Sequence, residues 1–361
     1  MSGGYDLAVV GAGIVGLGHA VAALERGRRV VVVERATQVA GATVRNFGHA
    51  GFSAHAGEAG EYARVAREAW LRIASRAGLW ARETGTLMVA RHEDELAALR
   101  EAGIGEPLSA DAVADLAPVR GAVGGALLRG DLQVDPRHAG PAIAAWLATQ
   151  GVEFRWRTAA LGAEPGVLHT ARGEIRAEAI VFAVNADVDQ LFPGIAEDHG
   201  VRRCGLDMML ADGVGLPIPV LTGSSMLRYS AFADAPSIAD VRTRIAAEEP
   251  AMIERDVNQM YTERPDGTLL VGDTHSRGET IAPFQDEADF ALLQRLGEDL
   301  FGRPLRIRQR WQGVYATAPG DFLRVAPMDG VRVVSVTTGI GMATGLGLAE
   351  SVIAELWGET R

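Results

Sequence analysis

The 361-residue chain contains no lysine, so all 35 of its basic residues are arginine. Without lysine, no Schiff-base mechanism and no lysine-linked pyridoxal phosphate chemistry is available. Cys204 is the only cysteine, which excludes disulfide scaffolds and cysteine-cluster metal sites; we expect no metal and a cytoplasmic location. Basic residues are outnumbered by acidic ones, so the net charge is −11 and the pI is near 5.3. Such a surface is a poor match for nucleic acid or an anionic membrane.

Residues 7–24 carry no formal charge, which is close to the length of a membrane span. Glycines and a histidine interrupt the segment, and it has neither the basic region nor the cleavage signal of a signal peptide. A buried strand, a tight turn and a buried helix explain it better, so we predict no membrane span and no targeting segment.

Apolar runs predict strands at 5–10, 29–34, 86–90, 151–156, 179–184 and 331–336. Helical spacing predicts helices at 14–26, 61–83, 93–102, 136–150, 287–301 and 339–350. Between 201 and 311 the runs are shorter, which favours antiparallel sheet. We therefore expect an α/β fold in which a Rossmann-type domain (1–85, 132–200 and 315–361) is interleaved with a mostly antiparallel α+β substrate domain (86–131 and 201–314).

A glycine motif, G-x-G-x-x-G, lies between the first strand and the first helix, at Gly11, Gly13 and Gly16. The first glycine permits the tight turn, the second lets backbone approach a pyrophosphate, and the third lets helix pack on strand. Glu34 ends the second strand, where a carboxylate accepts the hydroxyls of an adenosine ribose and repels a 2′-phosphate. The pattern predicts a dinucleotide site, with NAD and FAD both open.

A second glycine-rich helix start, Thr338 to Gly345, lies near the end of the chain. An NAD domain does not need it, whereas the N1–C2=O edge of a reduced flavin is anionic and is stabilised by a helix N-terminus. With the segments 41–49 and 131–136, these features resemble the D-amino-acid oxidase superfamily, which includes glycine and sarcosine oxidases. The resemblance implies non-covalent FAD bound by Gly11, Gly13, Ile14, Val15, Gly16, Glu34, Arg35, Thr43, Arg45, Asn46, Phe47, Gly48, His49, Gly313, Gly339, Gly341, Met342, Ala343 and Thr344.

Five short motifs, which begin at Arg45, Leu191, Gly272, Pro283 and Arg310, recur in one order. They read RNFG, LFP, GDTH, PF and RWQGVY. This order resembles the FAD oxidoreductase subfamily whose genes accompany phosphonate-degradation genes. The resemblance implies an aminoalkylphosphonate, or its N-methyl derivative, as the substrate.

Comparison with the superfamily also suggests residues for the chemistry. Sarcosine-oxidase-type relatives carry K-x-G-x-H where this chain has His275, so His275 either touches substrate beside the flavin or is an ordinary packed histidine. When the glycine of that pattern is placed at Gly272, their lysine, which serves oxygen activation, falls on Leu270. Glycine-oxidase-type relatives hold the substrate carboxylate with an arginine where this chain has Tyr315.

The anion must then be bound elsewhere, and Arg45, Arg228 and Arg310 are candidates because guanidinium binds carboxylate or phosphonate bidentately. Each is alternatively a surface ion pair. Trp311 and Tyr315 are either pocket wall or core aromatics.

These observations predict FAD-dependent oxidative deamination or N-demethylation of a small anionic amine, by hydride transfer to flavin N5 and on to oxygen or another acceptor. A small amino acid such as glycine, sarcosine or a D-amino acid is an alternative substrate. An NAD-dependent dehydrogenase and a non-catalytic flavin-binding module are alternative functions.

Overall fold

The computed structural model describes residues 4–359. Its strands are β1 (Tyr5–Val10), β2 (Val30–Val33), β3 (His49–Ala50), β4 (Ala81–Arg82), β5 (Thr86–Ala90), β6 (Glu106–Ser109), β7 (Gly124–Leu128), β8 (Leu132–Val134), β9 (Glu153–Arg155), β10 (Ala160–Glu164), β11 (Val167–Thr170), β12 (Gly173–Phe182), β13 (Arg202–Asp212), β14 (Val220–Leu221), β15 (Met260–Glu263), β16 (Thr268–Gly272), β17 (Ser276–Gly278), β18 (Ile307–Met328) and β19 (Val331–Thr338). Its α-helices are α1 (Ile14–Glu25), α2 (Gly57–Ala77), α3 (Glu93–Ala102), α4 (Ala110–Leu116), α5 (Pro136–Thr149), α6 (Val188–Leu191), α7 (Pro193–Asp198), α8 (Gly223–Met226), α9 (Ile238–Glu248), α10 (Pro250–Glu254), α11 (Glu287–Phe301) and α12 (Gly341–Leu356).

Five parallel strands form one part of the main sheet, in the order β19-β12-β1-β2-β9. β2 is buried at all four positions, as expected for a strand covered on both faces. Helices α1, α2, α5 and α12 pack together over one face. Since parallel strands bring their carboxyl ends to the same edge, the loops after β1, β2, β12 and β19 meet there.

The other part of the sheet is mostly antiparallel, as predicted. Four of its strands pair antiparallel in the order β15-β16-β13-β18. The pairing of β7 with β5 is also antiparallel, whereas β5 and β14 pair parallel. The antiparallel pairing of β18 with β19 joins both parts into one sheet. The predicted fold class is thereby confirmed.

Two interior clusters lie on either side of the parallel strands, and a third fills the antiparallel part. β18 runs from Ile307 to Met328 without interruption, so the predicted border at 314/315 falls inside one strand. The division into two interleaved domains stays a prediction.

Several predicted element bounds require correction. The helix predicted at 61–83 is α2, which begins at Gly57 and ends at Ala77, because Gly78 takes up the left-handed conformation at φ 62°. The strand predicted at 179–184 is β12, which begins at Gly173 and ends at Phe182, three residues before a 3₁₀ turn that starts at Asn185 with φ 58°. The helix after the last glycine turn continues to Leu356 rather than residue 350.

The uncharged segment 7–24 forms most of β1, a glycine turn and α1, as predicted. Within residues 4–359, none of the helices combines the length and the apolar character that crossing a bilayer requires.

Candidate functional site

A cavity of about 660 Å³ opens at the carboxyl edge of the parallel strands. Its walls come from the glycine loop after β1, the end of β2, the segment 40–47, the turn after β12, and the turn between β19 and α12. Residues of β13 and β18 and the loops around 228, 258 and 273 close the other end. The cavity therefore joins the predicted dinucleotide site to the antiparallel part of the sheet.

The glycine loop after β1 needs its glycines for separate reasons. Gly11 has φ 101°, and a Cβ atom there would lie 2.4 Å from the carbonyl oxygen of Ala183. A Cβ on Gly16 would lie 1.9 Å from the carbonyl oxygen of Gly11, so α1 could not approach β1. Gly13 lines the cavity. A Cβ on Gly13 would lie 3.2 Å from Oγ1 of Thr43, so a side chain there would crowd Thr43.

Two helix N-termini face the cavity. Gly13 at the start of α1 and Ile340 at the start of α12 make no side-chain cap, and neither first turn contains an acidic residue. Ile14 and Val15 of α1, and Gly341, Met342 and Ala343 of α12, line the wall. Exposed N–H groups and the positive end of a helix favour an anion. The donors present fit a diphosphate at α1 and the anionic edge of a reduced flavin at α12.

The start of α12 is also tied to the rest of the molecule. The Trp70 indole donates to the carbonyl oxygen of Met342 at 2.8 Å, and the Thr344 hydroxyl donates to that of Ile340 at 2.9 Å. Thr344 itself does not line the cavity. Gly339 has φ 79°, and a Cβ there would lie 2.9 Å from the Tyr315 ring. A side chain at this turn would displace Tyr315.

Glu34 lines the cavity just beyond the end of β2. One carboxylate oxygen accepts a hydrogen bond from the backbone nitrogen of Ala12 at 2.9 Å, and the other accepts one from Ala36 at 2.8 Å. Each oxygen has a second lone pair, so the carboxylate still has capacity for ribose hydroxyls. The neighbouring Arg35 lines the same end and pairs with Asp187 at 2.5 Å.

The segment around Asn46 is folded by its own side chains. The Asn46 amide donates to the carbonyl oxygens of Ala42 and Thr43, both at 2.9 Å, and its oxygen accepts from the Gly48 nitrogen at 2.7 Å. The Thr43 hydroxyl accepts from the Ile14 nitrogen at 2.9 Å, which fastens this segment to α1.

Four predicted cofactor residues lie in or beside this segment. Arg45, which is exposed, and Phe47, which is buried, line the cavity. Gly48 does not, and a Cβ there would lie 2.0 Å from the Val134 carbonyl oxygen, so its glycine serves packing. Gly313 of β18 lines the cavity, and a Cβ there would lie 3.3 Å from the Arg45 carbonyl oxygen.

His49 lines the cavity, and its ring contacts Thr86 and Asp131. Its Nε2 lies 2.6 Å from the Thr86 hydroxyl and 3.6 Å from Oδ2 of Asp131. Asp131 in turn accepts hydrogen bonds from Phe52 and Ser53. The carboxylate of the predicted return segment thus anchors the wall of the site.

At the opposite end from Glu34 the cavity has charged and polar walls. We call this the polar end, formed by Arg228, Tyr229, Asn258, Asp273, His275 and Tyr315. Nη1 of Arg228 lies 2.7 Å from Oδ2 of Asp256, which also pairs with Arg277 at 2.6 Å. Burial lowers the pKa of Arg228, but the Asp256 carboxylate reverses this and raises it overall. Nη2 and Nε of Arg228 make no hydrogen bond within the described part of the chain, so this edge of the guanidinium is available to a ligand.

His275 lies on the cavity wall. Its Nδ1 lies 2.7 Å from the carbonyl oxygen of Asp256, and its ring centre is 6.3 Å from that of Tyr315. Burial, together with the charge of Arg228, lowers the pKa of His275 well below its usual range. Burial raises the pKa of Tyr315. Both side chains are therefore uncharged at neutral pH.

Two of the predicted catalytic residues lie outside the cavity. Arg310 pairs with Glu287 at 3.1 Å and lies over the ring of Phe290. The Trp311 indole donates to the carbonyl oxygen of Arg45 at 3.3 Å, and Arg137 covers its other side. Of the five predicted catalytic residues, His275, Tyr315 and Arg228 therefore line the cavity, and Arg310 and Trp311 do not.

Leu270 likewise lies in the interior of β16, 1% exposed, and does not line the cavity. The comparison by motif spacing had assigned it to the position of a flavin-facing lysine. In this fold the residue at 270 faces the protein core, so it neither supplies nor withholds a charge at the cavity.

The wall also holds polar and titratable residues that sequence reasoning missed, among them His55, Tyr229, Asn258 and Asp273. Burial lowers the pKa of His55 to about 4, and its ring stacks edge-on with Tyr229 at 5.7 Å. Asp273 belongs to the GDTH motif and Tyr229 follows Arg228, so both stood beside a candidate already chosen. Nothing in the local pattern marks His55 or Asn258.

Residues 6–356 match the profile of the protein family described as DAO, FAD dependent oxidoreductase. No curated protein sequence matches the chain. Solved structures of low sequence identity share the fold. A glycine oxidase from Bacillus cereus ATCC 14579 superposes with a TM-score of 0.79 at 16% identity, over 99% of this chain and 96% of that one.

Two further structures extend this likeness. The iminodiacetate oxidase IdaA from Chelativorans sp. BNC1 has a TM-score of 0.74 at 17% identity, covering 98% of this chain and 96% of its own. The dithionite-reduced L-alpha-glycerophosphate oxidase from Mycoplasma pneumoniae, solved with FAD bound, has a TM-score of 0.75 at 18% identity, covering 98% and 94%.

Proposed function

The chain belongs to the family of FAD-dependent oxidoreductases, and from this premise we propose that it oxidises a small amine carrying an anionic group. Family membership decides two alternatives that the sequence left open. The dinucleotide is FAD rather than NAD, and the protein is an oxidoreductase rather than a non-catalytic flavin-binding module. The class of substrate is the part that we propose.

The observation that carries the proposal is Arg228 in the cavity wall, whose side chain is 17% exposed. Its Asp256 partner engages only one guanidinium nitrogen, at 2.7 Å. The remaining edge can bind two oxygens of a carboxylate or phosphonate. The three similar structures are named for small molecules that all carry an anionic group, glycine, iminodiacetate and α-glycerophosphate, which supports an anion site.

The other walls suit the oxidation of an amine. Met208, Met260 and Phe47 are buried apolar side chains on the cavity surface, and they exclude water from the reacting carbon. Arg228 binds the anion and so orients the carbon next to nitrogen. Bound FAD supplies the hydride acceptor, and the resulting imine hydrolyses to an aldehyde or keto acid.

Within this class we propose an aminoalkylphosphonate or its N-methyl derivative. The support is the order of five motifs from Arg45 to Tyr315, together with a tyrosine where the carboxylate-binding arginine of glycine-oxidase-type relatives stands. A small amino acid such as glycine, sarcosine or a D-amino acid is the second candidate. We further propose a cytoplasmic location, and oxygen or another acceptor as the second substrate.

An anaerobic bleaching assay tests the proposal. The holoenzyme is mixed with 2-aminoethylphosphonate, N-methyl-2-aminoethylphosphonate, glycine, sarcosine and D-alanine, and loss of absorbance near 450 nm is followed. We expect the two phosphonates to reduce the flavin fastest. A preference for the amino acids would replace the phosphonate by a carboxylate substrate, and reduction by none of the five would contradict the anionic-amine proposal.

A further inference from the structure

Asp273 is a buried carboxylate at the polar end whose placement is fixed by the backbone. It follows β16, and its backbone exchanges two hydrogen bonds with Asn258, of 2.8 and 2.9 Å. The residue is 4% exposed and lines the cavity. Its Oδ1 has no hydrogen-bond partner among residues 4–359. Buried polar atoms normally have partners, so this oxygen is an unsatisfied acceptor within the described part of the protein.

A second unfilled acceptor lies beside it. Nδ1 of His275 lies 2.7 Å from the Asp256 carbonyl oxygen, which only accepts, so this nitrogen carries the proton of the neutral ring. Nε2 is then a free lone pair. It lies 3.7 Å from Oδ2 of Asp273. Two acceptors side by side on a cavity wall, without a donor between them, fit a group that carries several N–H bonds.

The charges around Asp273 come from several elements. Burial raises the pKa of Asp273 to about 7, and the Arg228 guanidinium opposes this rise while the Asp256 carboxylate adds to it. The other titratable groups that face it are His275, Tyr229, Tyr315 and Cys204. A carboxyl group with a pKa in this range both releases and accepts a proton near neutral pH.

We propose that Asp273 and Nε2 of His275 together hold the ammonium group of the substrate, and that Asp273 accepts the proton that this group must lose before oxidation. The inference rests on the proposed function. In the step, one N–H bond breaks and its electron pair stays on the substrate nitrogen. The proton forms the O–H bond of a neutral Asp273, so no oxidant is consumed. Arg228 and Asp273 then recognise opposite charges of one zwitterionic substrate.

The test compares the holoenzyme with its Asp273→Asn variant. The matched control is Asp212→Asn, at a half-exposed ion pair with Arg308 outside the cavity. Anaerobic flavin reduction by the best amine of the screen is measured from pH 6 to pH 10. We expect the rate of D273N at pH 7 to fall on the order of 100-fold. Its pH midpoint should rise from near 7 toward the pKa of the free amine, with the rate recovering at high pH.

Ligand binding separates this role from a structural one. Propylamine and methylphosphonate are titrated separately, and the change in flavin absorbance is followed. We expect D273N to lose propylamine binding and to retain methylphosphonate binding. His275→Gln should weaken propylamine binding without moving the pH midpoint.

Two results would overturn this inference and leave the proposed function intact. One is propylamine binding and a pH midpoint in D273N equal to those of wild type, and the other is an equal loss of rate at every pH. If no amine reduces the wild-type flavin, the proposed function fails and this inference fails with it.

Discussion

Oε2 of Glu34 accepts a hydrogen bond from the backbone nitrogen of Ala12 at 2.9 Å. The carboxylate just past β2 therefore stabilises the glycine loop that follows β1, in addition to its predicted contact with the ribose. Replacing it changes both the shape of the loop and the acceptors offered to the cofactor.

We expect Glu34→Ala to weaken FAD binding by about 10- to 100-fold, since hydrogen bonds to a charged group contribute ~1.5–3 kcal/mol. Titration of apoprotein with FAD, followed by fluorescence quenching, measures the change. With saturating FAD, the rate of flavin reduction should match wild type. The exposed Glu164→Ala is the control, and equal FAD affinity in E34A and wild type would contradict the assignment.

We expect FAD to leave the protein on treatment with acid or heat. Cys204 is buried in β13 and does not line the cavity, and Nε2 of His49 is engaged by Thr86 at 2.6 Å. Cys204 therefore does not face the flavin, and Nε2 of His49 is not free to form a bond to it. The supernatant of acid-precipitated protein should contain all the flavin, and fluorescence that stays with the protein on a denaturing gel would show a covalent link.

Arg228→Ala should lower kcat/KM for the preferred substrate on the order of 100-fold or more. The reason is that removing the arginine leaves the bound substrate anion without its partner in the cavity, which costs ~2–5 kcal/mol. Binding of methylphosphonate should be lost in parallel. The thermal midpoint of the variant shows whether the fold persists without the Arg228–Asp256 pair.

Arg310→Ala and Arg100→Ala serve as controls for Arg228. Arg310 pairs with the exposed Glu287 and Arg100 is exposed, and such surface pairs contribute about 0–1 kcal/mol. We expect each to change kcat/KM by less than about fivefold. If R310A lowered kcat/KM as much as R228A does, Arg310 rather than Arg228 alone would bind the substrate anion.

His19 should make the stability of the protein depend on pH. It is fully buried in α1, and burial lowers the pKa of its side chain to about 4. The unfolded chain binds a proton near pH 6.5, whereas the folded one does so only near 4, so this contribution to stability is complete above pH 6.5 and is lost as the pH falls toward 4.

We expect His19→Leu to narrow the difference in unfolding free energy between pH 7.5 and pH 5 by about 2 kcal/mol. Denaturant unfolding at the two pH values measures it, with His199→Gln on the surface as the control. An unchanged pH dependence in H19L would mean that His19 is not neutral in the folded protein at pH 5.

The fold could be predicted well where the pattern is local. β1, the glycine turn and α1 follow one another within residues 5–25, and each is specified by its own apolar spacing. The end of α2 was misplaced because helical spacing continues past Ala77, whereas Gly78 ends the helix. Bounds of this kind depend on one backbone conformation rather than on periodicity.

The site, too, could be predicted only where local pattern decides the position of a side chain. Trp311, Gly313 and Tyr315 share one face of β18, yet only the last two line the cavity. Four residues of strand span about 13 Å, which carries Trp311 past the end of the cavity to the carbonyl of Arg45. Alternation gives the face of a side chain but not how far along the strand the cavity reaches.

The sequence by itself determined the glycine turns of the predicted cofactor site, because a side chain at Gly11, Gly16 or Gly339 would be strained or would collide with its neighbours. Only the tertiary structure decided the substrate end. Arg228 lies after α8, whereas Asp273 and His275 lie in the loop between β16 and β17. The three side chains meet at one wall because β14, β15 and β16 pair side by side in one register. That register follows from long-range packing, which short motifs do not encode.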